Sequence, residues 1–297
     1  MKSPLKKNLV RKALFSRFKK AFEIALQEAV LDMGEKSPLR DACEYALQSG
    51  GKRFRPVLVY SIADALGRQR DVKRAALAVE FFHTASLIAD DLPCMDDEAE
   101  RRQKPTIHRV FGEATALLAS YALIAYGYEM LYRAERELAA SGEKGSAEIC
   151  VLALGCMSRC AGLRGAVHGQ YMDLFPPDKN AKTVLRIIYE KTGTLFEVAF
   201  VLGWLFGGGD IERLDLVRKA AGHFGLAFQI ADDFQDVRQD DENRSFGNMV
   251  IALGAAEARA CFRAEVAAFG EALLSLNLKS QNFEQMVAGL KELAGVS

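Results

Sequence analysis

Two stretches of this chain concentrate carboxylates at the end of apolar runs. The first reads Leu87-Ile88-Ala89-Asp90-Asp91-Leu92-Pro93-Cys94-Met95-Asp96-Asp97-Glu98; the second reads Phe228-Gln229-Ile230-Ala231-Asp232-Asp233-Phe234-Gln235-Asp236. Adjacent aspartates repel one another, so clustering them is unfavourable unless cations neutralise them. Carboxylates are hard oxygen ligands of the kind that suits Mg2+. In the second stretch Gln229, Asp232, Asp233 and Asp236 are spaced 3, 1 and 3, which puts all four on one helix face. In the first, Asp90 and Asp96 are six apart and would point to different sides of an ideal helix. Pro93 must break or kink that helix, and the break is expected to swing Asp96 back toward Asp90. A solvated acidic helix end accounts for one such cluster. It does not account for two, each behind an apolar run.

Three basic groups answer the acids. Gly50-Gly51-Lys52-Arg53-Phe54-Arg55-Pro56 puts three cations in a glycine-started turn before a helix, a good seat for an anion. Arg101-Arg102 follows the first acidic cluster and precedes Lys104-Pro105-Thr106. Lys191-Thr192-Gly193-Thr194 interrupts an otherwise apolar helix. Taken singly, each is an ordinary solvated charge. Alternated with two acid clusters, they form a pattern suited to pyrophosphate held between bridging Mg2+ and Arg or Lys.

The elements that must position these groups are helices. Apolar residues recur three and four apart from Leu14 to Leu31. Similar helical patterns cover 40–48, 56–66, 72–92, 106–138, 145–167, 182–206, 211–236 and 255–276. Residues 139–146 and 207–209 read as loops. There is no strand alternation, no linker and no repeat period, so one all-α domain spanning 1–297 is expected, a bundle around one core.

Composition narrows the partners. The chain has 297 residues, 50% of them hydrophobic, and 39 Lys and Arg balance 39 Asp and Glu. No bulk positive field draws it to nucleic acid or anionic lipid. The longest uncharged stretch, 114–128, is shorter than the roughly 20 residues a bilayer needs, so no stable membrane insertion is expected. The basic N-terminus lacks an apolar core behind it, and the six cysteines form no CxxC pair. Reduced thiols and a cytoplasmic location are expected. Glu80-x-x-His83 is the single Glu-x-x-His spacing, where a di-iron bundle needs two, and no GxGxxG or GxxxxGK nucleotide motif follows a strand.

Taken in order, these motifs resemble those of the trans-prenyltransferases, the polyprenyl (isoprenoid) diphosphate synthases. The resemblance covers nearly the whole chain. Gly50 to Pro56 matches the family's first basic motif, and Asp90 to Asp96 matches its first aspartate-rich motif in the bacterial form. Arg101-Arg102, Lys191-Thr192-Gly193 and Phe228 to Asp233 complete the set. The resemblance implies an isoprenoid-synthase-type helical bundle around a deep central apolar cavity, usually in a homodimer. It implies about three Mg2+ ions, with Asp90, Asp96 and Asp232 as direct ligands and Asp91, Asp233 and Asp236 in support. Arg101, Lys191 and Thr192 would hold the allylic diphosphate, with Gln229 close by. Lys52, Arg55, His83 and Arg102 would hold isopentenyl diphosphate, and Phe228 would lie near it. The chain departs from the pattern at Ala89, where bacterial members carry His, at Tyr121, and in the acidic stretch 240–248, where lysines are usual.

The same resemblance frames product length. In the family a bulky aromatic four or five residues before the first Asp stops growth at fifteen carbons. Here those positions are Ala85 and Ser86, with Phe81 and Phe82 one turn deeper. A floor at that turn predicts a twenty-carbon product, geranylgeranyl diphosphate. The alternatives are a farnesyl diphosphate synthase, a non-catalytic subunit of a heteromeric synthase and a terpene cyclase. Retention of both aspartate motifs disfavours the subunit. The cations at Lys52, Arg55 and Arg102, which a cyclase would not need, disfavour the cyclase.

Overall fold

A computed structural model describes residues 4–178, 180–242, 248–278 and 280–296; the side chains of 4–15 and 236–242 lie outside that description. Helices run in the order α1 (Pro4–Leu31), α2 (Pro38–Leu47), α3 (Phe54–Leu66) and α4 (Lys73–Asp90). A two-stranded hairpin, β1 (Glu100–Arg101) with β2 (Lys104–Pro105), leads to α5 (Ile107–Phe111), α6 (Glu113–Ala140), α7 (Ser146–Ala161) and α8 (Ala166–Leu174). Next come α9 (Ala181–Ile188), a π turn (Tyr189–Gly193), α10 (Thr194–Gly207), α11 (Leu214–Glu242), α12 (Met249–Leu253), α13 (Ala255–Ser275) and α14 (Gln281–Leu293). The all-α reading holds.

Local chemistry sets the ends. Ser37 caps α2 by accepting from the Arg40 N–H, with Pro38 at the first helical position. Asn180 caps α9 by accepting from the Thr183 N–H. α3 stops at Gly67, which takes φ 69°, a left-handed conformation that costs glycine little.

The bundle is organised around α10, every residue of which is buried. It packs on α3, α4, α7 and α11. A helix that is apolar all round has no stable place except a core interior. One apolar core, from Phe18 to Ala294, joins the helices.

Several boundaries differ from the sequence reading. The expected helix over 145–167 is two helices, broken at 162–165. The segment Ser146–Leu174 is long and apolar enough to cross a membrane by length and composition, but α7 and α8 are each shorter than the roughly 20 residues a span needs. The helix over 182–206 is divided by the π turn, so the polar Lys191-Thr192 interruption is a real break. α14 lies beyond the last helix expected. All six cysteines are free thiols.

Candidate active site

α4 ends at Asp90, and the chain then turns through Pro93. The Asp96 N–H donates to the Asp90 carbonyl at 2.9 Å. The two residues are thereby brought together despite their six-residue spacing, as the helix break predicts. The Asp96 carboxylate accepts from Gln170 Nε2 at 3.0 Å. Burial pushes the Asp90 carboxyl up to about 7; Asp96 and Asp91 add to the rise, while Lys191 and Arg101 oppose it. Its ionised form is thus short of a counter-ion. Asp91 is buried and paired with Arg101, whose Nε donates to it at 2.7 and 2.9 Å.

The second cluster lies on α11. Asp233 points inward, accepting from Gln229 Nε2 at 2.7 Å and from the Met249 N–H at 2.7 Å. It ties α11 to α12. Asp232 is half-buried and its charge reaches Arg55. The side chain of Asp236 lies outside the described residues.

Between the clusters sits the basic group. Arg55 is held 4.6 Å over the Phe196 ring, with Nη1 3.3 Å from His83 Nε2. Burial lowers its pKa to about 10, while Glu80 and Asp232 act against that fall. Arg55 Nε and His83 Nδ1 are buried without a partner. Burial, together with Arg55, Arg102 and Arg101, holds the His83 imidazolium form well below its ordinary range. His83 is therefore neutral and a weak base. A guanidinium and an imidazole that each keep one buried nitrogen unspent form a site short of an anion. Arg102 donates to the Gly50 carbonyl, and its guanidinium lies where a Gly51 side chain would stand. Lys52 is exposed at the loop edge.

Arg53, the middle cation of that loop, faces the other way. Its buried guanidinium pairs with Glu80 at 2.5 Å and Glu23 at 2.8 Å and donates to the Leu47 carbonyl at 2.5 Å. It anchors the loop from beneath, a role that its neighbours in sequence conceal.

Lys191 projects from the π turn and donates to Asp173 at 2.5 Å. Burial opposes its charge, but Asp173, Asp96 and Asp90 raise its pKa overall. Half-buried Thr192 follows on the same turn. Gly169 of α8 lets the π turn come close: a Cβ there would stand 2.2 Å from the Lys191 nitrogen. Sequence reasoning missed Gln170 and Asp173. The signal was there, because Gln170-x-x-Asp173 repeats the spacing of Gln229-x-x-Asp232.

Phe228 packs against Phe54 and Phe196, with ring centroids 5.2 and 4.8 Å away. This aromatic group forms an apolar wall beside Arg55. Ser86 is half-buried and donates to the His83 carbonyl. Ala85 is buried toward α6, where Ser120 Oγ donates to its carbonyl at 2.9 Å. Phe82 packs edge-on to Tyr128 at 5.0 Å. Phe81 corrects the expectation of a paired floor. It lies nine residues from Asp90, about two and a half turns and so on the opposite face, and packs fully buried against Tyr126. Of the two, Phe82 alone lies on the side of α4 nearer Asp90.

These contacts gather both aspartate clusters, Lys191 and the Arg55–His83–Arg102 group around one region. Such an arrangement can hold polyanions through cations on one side and metal-bridged carboxylates on the other.

Comparisons with known proteins agree. The polyprenyl synthetase family matches residues 36–248. The large subunit 2 of a heterodimeric geranylgeranyl pyrophosphate synthase of Arabidopsis thaliana is 40% identical over 224 residues, 73% of this chain and 57% of that protein. The chloroplastic geranylgeranyl pyrophosphate synthase of Catharanthus roseus is 39% identical over 222 residues, 73% of this chain and 60% of that protein. The chain thus spans about three fifths of the length of these curated relatives. The crystal structure of a geranyltransferase from Legionella pneumophila superposes with a TM-score of 0.82 at 26% identity, covering 97% of this chain and 98% of that one.

Proposed function

Because this chain belongs to the polyprenyl synthetase family, we propose that it is a magnesium-dependent prenyltransferase that condenses isopentenyl diphosphate with an allylic diphosphate. The observation that carries the reading is the pairing of two unmet charges. Half-buried Asp90 has too little positive charge around it, and half-buried Arg55 and His83 each keep one buried nitrogen unspent. A carboxylate-held cation satisfies the first, and a diphosphate satisfies the second.

The donor types suit Mg2+: Asp90 and Asp96 are joined by a backbone hydrogen bond, and Asp232 would add a carboxylate from α11. Bound there, Mg2+ would supply charge stabilisation for the leaving diphosphate. The chain's own residues do the rest. Lys191 and Arg101 are placed to share the charge that develops as the allylic carbon–oxygen bond breaks. Arg55, Arg102 and Lys52 would hold isopentenyl diphosphate, with His83 oriented beside Arg55. Phe54, Phe196 and Phe228 would help keep water from the carbocation. The isopentenyl double bond attacks that carbocation, and a proton must then leave the adduct. Neutral His83 has little basicity to take it, so the departing diphosphate is the acceptor.

Small side chains at Ala85 and Ser86, where a bulky aromatic would stop growth, favour geranylgeranyl diphosphate as product. The curated relatives named above carry the same product in their names. We read the chain as a homodimer, because α6 presents Leu117, Leu118, Tyr121 and Tyr132 to solvent at helical spacing. Light scattering of the purified 32.7 kDa chain should give twice the monomer mass; a stable monomer refutes that point. A cytoplasmic location is part of the same proposal, which fractionation of cells expressing the chain would test.

Incubation with Mg2+, isopentenyl diphosphate and the five-, ten- or fifteen-carbon allylic diphosphate is the test. Release of pyrophosphate and a labelled twenty-carbon product, both abolished by a chelator, is expected. Absence of any elongated product from every starter would overturn the reading in favour of a non-catalytic subunit.

A further inference from the structure

Glycine in mid-helix costs about 1 kcal/mol relative to alanine, so a buried one in the middle of a long helix calls for a reason. Gly127 is such a residue, in the middle of α6. Its backbone has no positive φ, so conformation is not the reason. The reason is Phe82. A Cβ on Gly127 would stand 2.4 Å from both Cδ2 and Cε2 of the Phe82 ring, against the 3.4 Å at which ordinary contact begins. The ring rests directly on the bare backbone of α6.

Phe82 lies eight residues before Asp90, about 12 Å down the helix. Ser86 lies between them. Phe82 and Ser86 occupy neighbouring faces of α4, both on the same side of the line through Asp90. Tyr128 bounds the ring on one side, and α4 itself lies close to Gly127. Tyr128 packs edge-on to it at 5.0 Å, and the Ala78 carbonyl lies 3.5 Å from where the missing Cβ would be. A Cβ on Gly127 would push the ring away from α6, toward the side of α4 where Ser86 lies one turn nearer Asp90.

We propose that Gly127 is a positioning residue that sets product length through Phe82: its missing side chain lets the ring withdraw into α6 and so keeps the shaft deep enough for twenty carbons. This rests on the prenyltransferase reading above. The lever is not on the helix that carries the aspartates. It is on the neighbouring helix, behind the aromatic ring.

The test is the ratio of fifteen- to twenty-carbon products made from isopentenyl diphosphate and the five-carbon allylic starter. Gly127→Ala should raise that ratio about tenfold or more, the discrimination that a methylene-sized change in a pocket yields. Phe82→Leu should shift products beyond twenty carbons. In the double variant the alanine should no longer shorten the product, because the ring it pushes is gone. A general loss of stability would lower total turnover without moving these ratios. If Gly127→Ala is insoluble, Phe82→Leu decides alone, and an unchanged product there overturns the proposal. An active wild type with an unchanged ratio in soluble Gly127→Ala, or shortening that persists in the double variant, also overturns it. A wild type that elongates no starter overturns the prenyltransferase reading itself, and this inference with it.

Discussion

Asp90→Asn should stabilise the metal-free protein while destroying its activity. The Asp90 carboxyl is pushed from 3.8 to about 7, chiefly by burial and further by Asp96 and Asp91. At 1.36 kcal/mol per unit, holding it ionised in the folded state costs about 4 kcal/mol. The sign follows from linkage. A folded-state pKa above the unfolded one favours folding at low pH, and that contribution is lost as pH rises from about 4 through 7. Asparagine carries no charge and avoids the loss. Its advantage is near zero at pH 4, and it grows by about 3 kcal/mol between pH 5 and pH 8. Urea unfolding of the chelator-treated protein at those two pH values measures the difference. Adding Mg2+ should stabilise the wild type more at pH 8 than at pH 5, and Asp90→Asn hardly at all. Prenyl transfer by the variant should fall by at least about a thousandfold, the scale of losing a main electrostatic contributor. A gain in stability that is the same at both pH values, or a loss at pH 8, would refute the assignment of Asp90 as a half-buried, cation-starved carboxylate.

Other consequences follow from residues that support the site. Glu80→Gln leaves Arg53 buried with Glu23 and a carbonyl as its remaining partners. Breaking a buried pair costs about 3 kcal/mol or more, so the urea midpoint should fall accordingly; a change below about 1 kcal/mol would show that Arg53 is satisfied without it. Gly169→Ala would drive a methyl group into the Lys191 backbone at 2.2 Å. Turnover should drop on the order of a hundredfold with helicity retained, as expected when a charged group is misplaced by about an ångström; turnover within twofold of wild type would count against the tight seating of the π turn.

Much was legible in the sequence because it is local. Helical periodicity, cap residues and the break at Pro93 act over a few residues, and they gave the helical class, the end of α4 near Asp90 and the return of Asp96. The Gln229, Asp232 and Asp233 spacing also places those side chains together on α11. What the helices do to one another was not local. Lys52, Arg53 and Arg55 look alike as neighbours, yet one is exposed, one anchors the loop to Glu80 and one stands over Phe196. That sorting depends on which partners α1, α4 and α10 bring to the loop.

The same division runs through the carboxylates and the aromatic floor. Asp232 and Asp233 are indistinguishable as a pair, but only Asp233 meets the Met249 N–H across α12 and is tied into the fold. Phe81 and Phe82 are likewise adjacent, and only the packing of α4 on Gly127 of α6 determines what the Phe82 ring rests on. The residue types and their order settled which chemistry this chain can carry, because charge and ligand hardness belong to the side chain itself. Which of those side chains face the site was settled by tertiary packing, because burial and counter-charge exist only once distant helices meet.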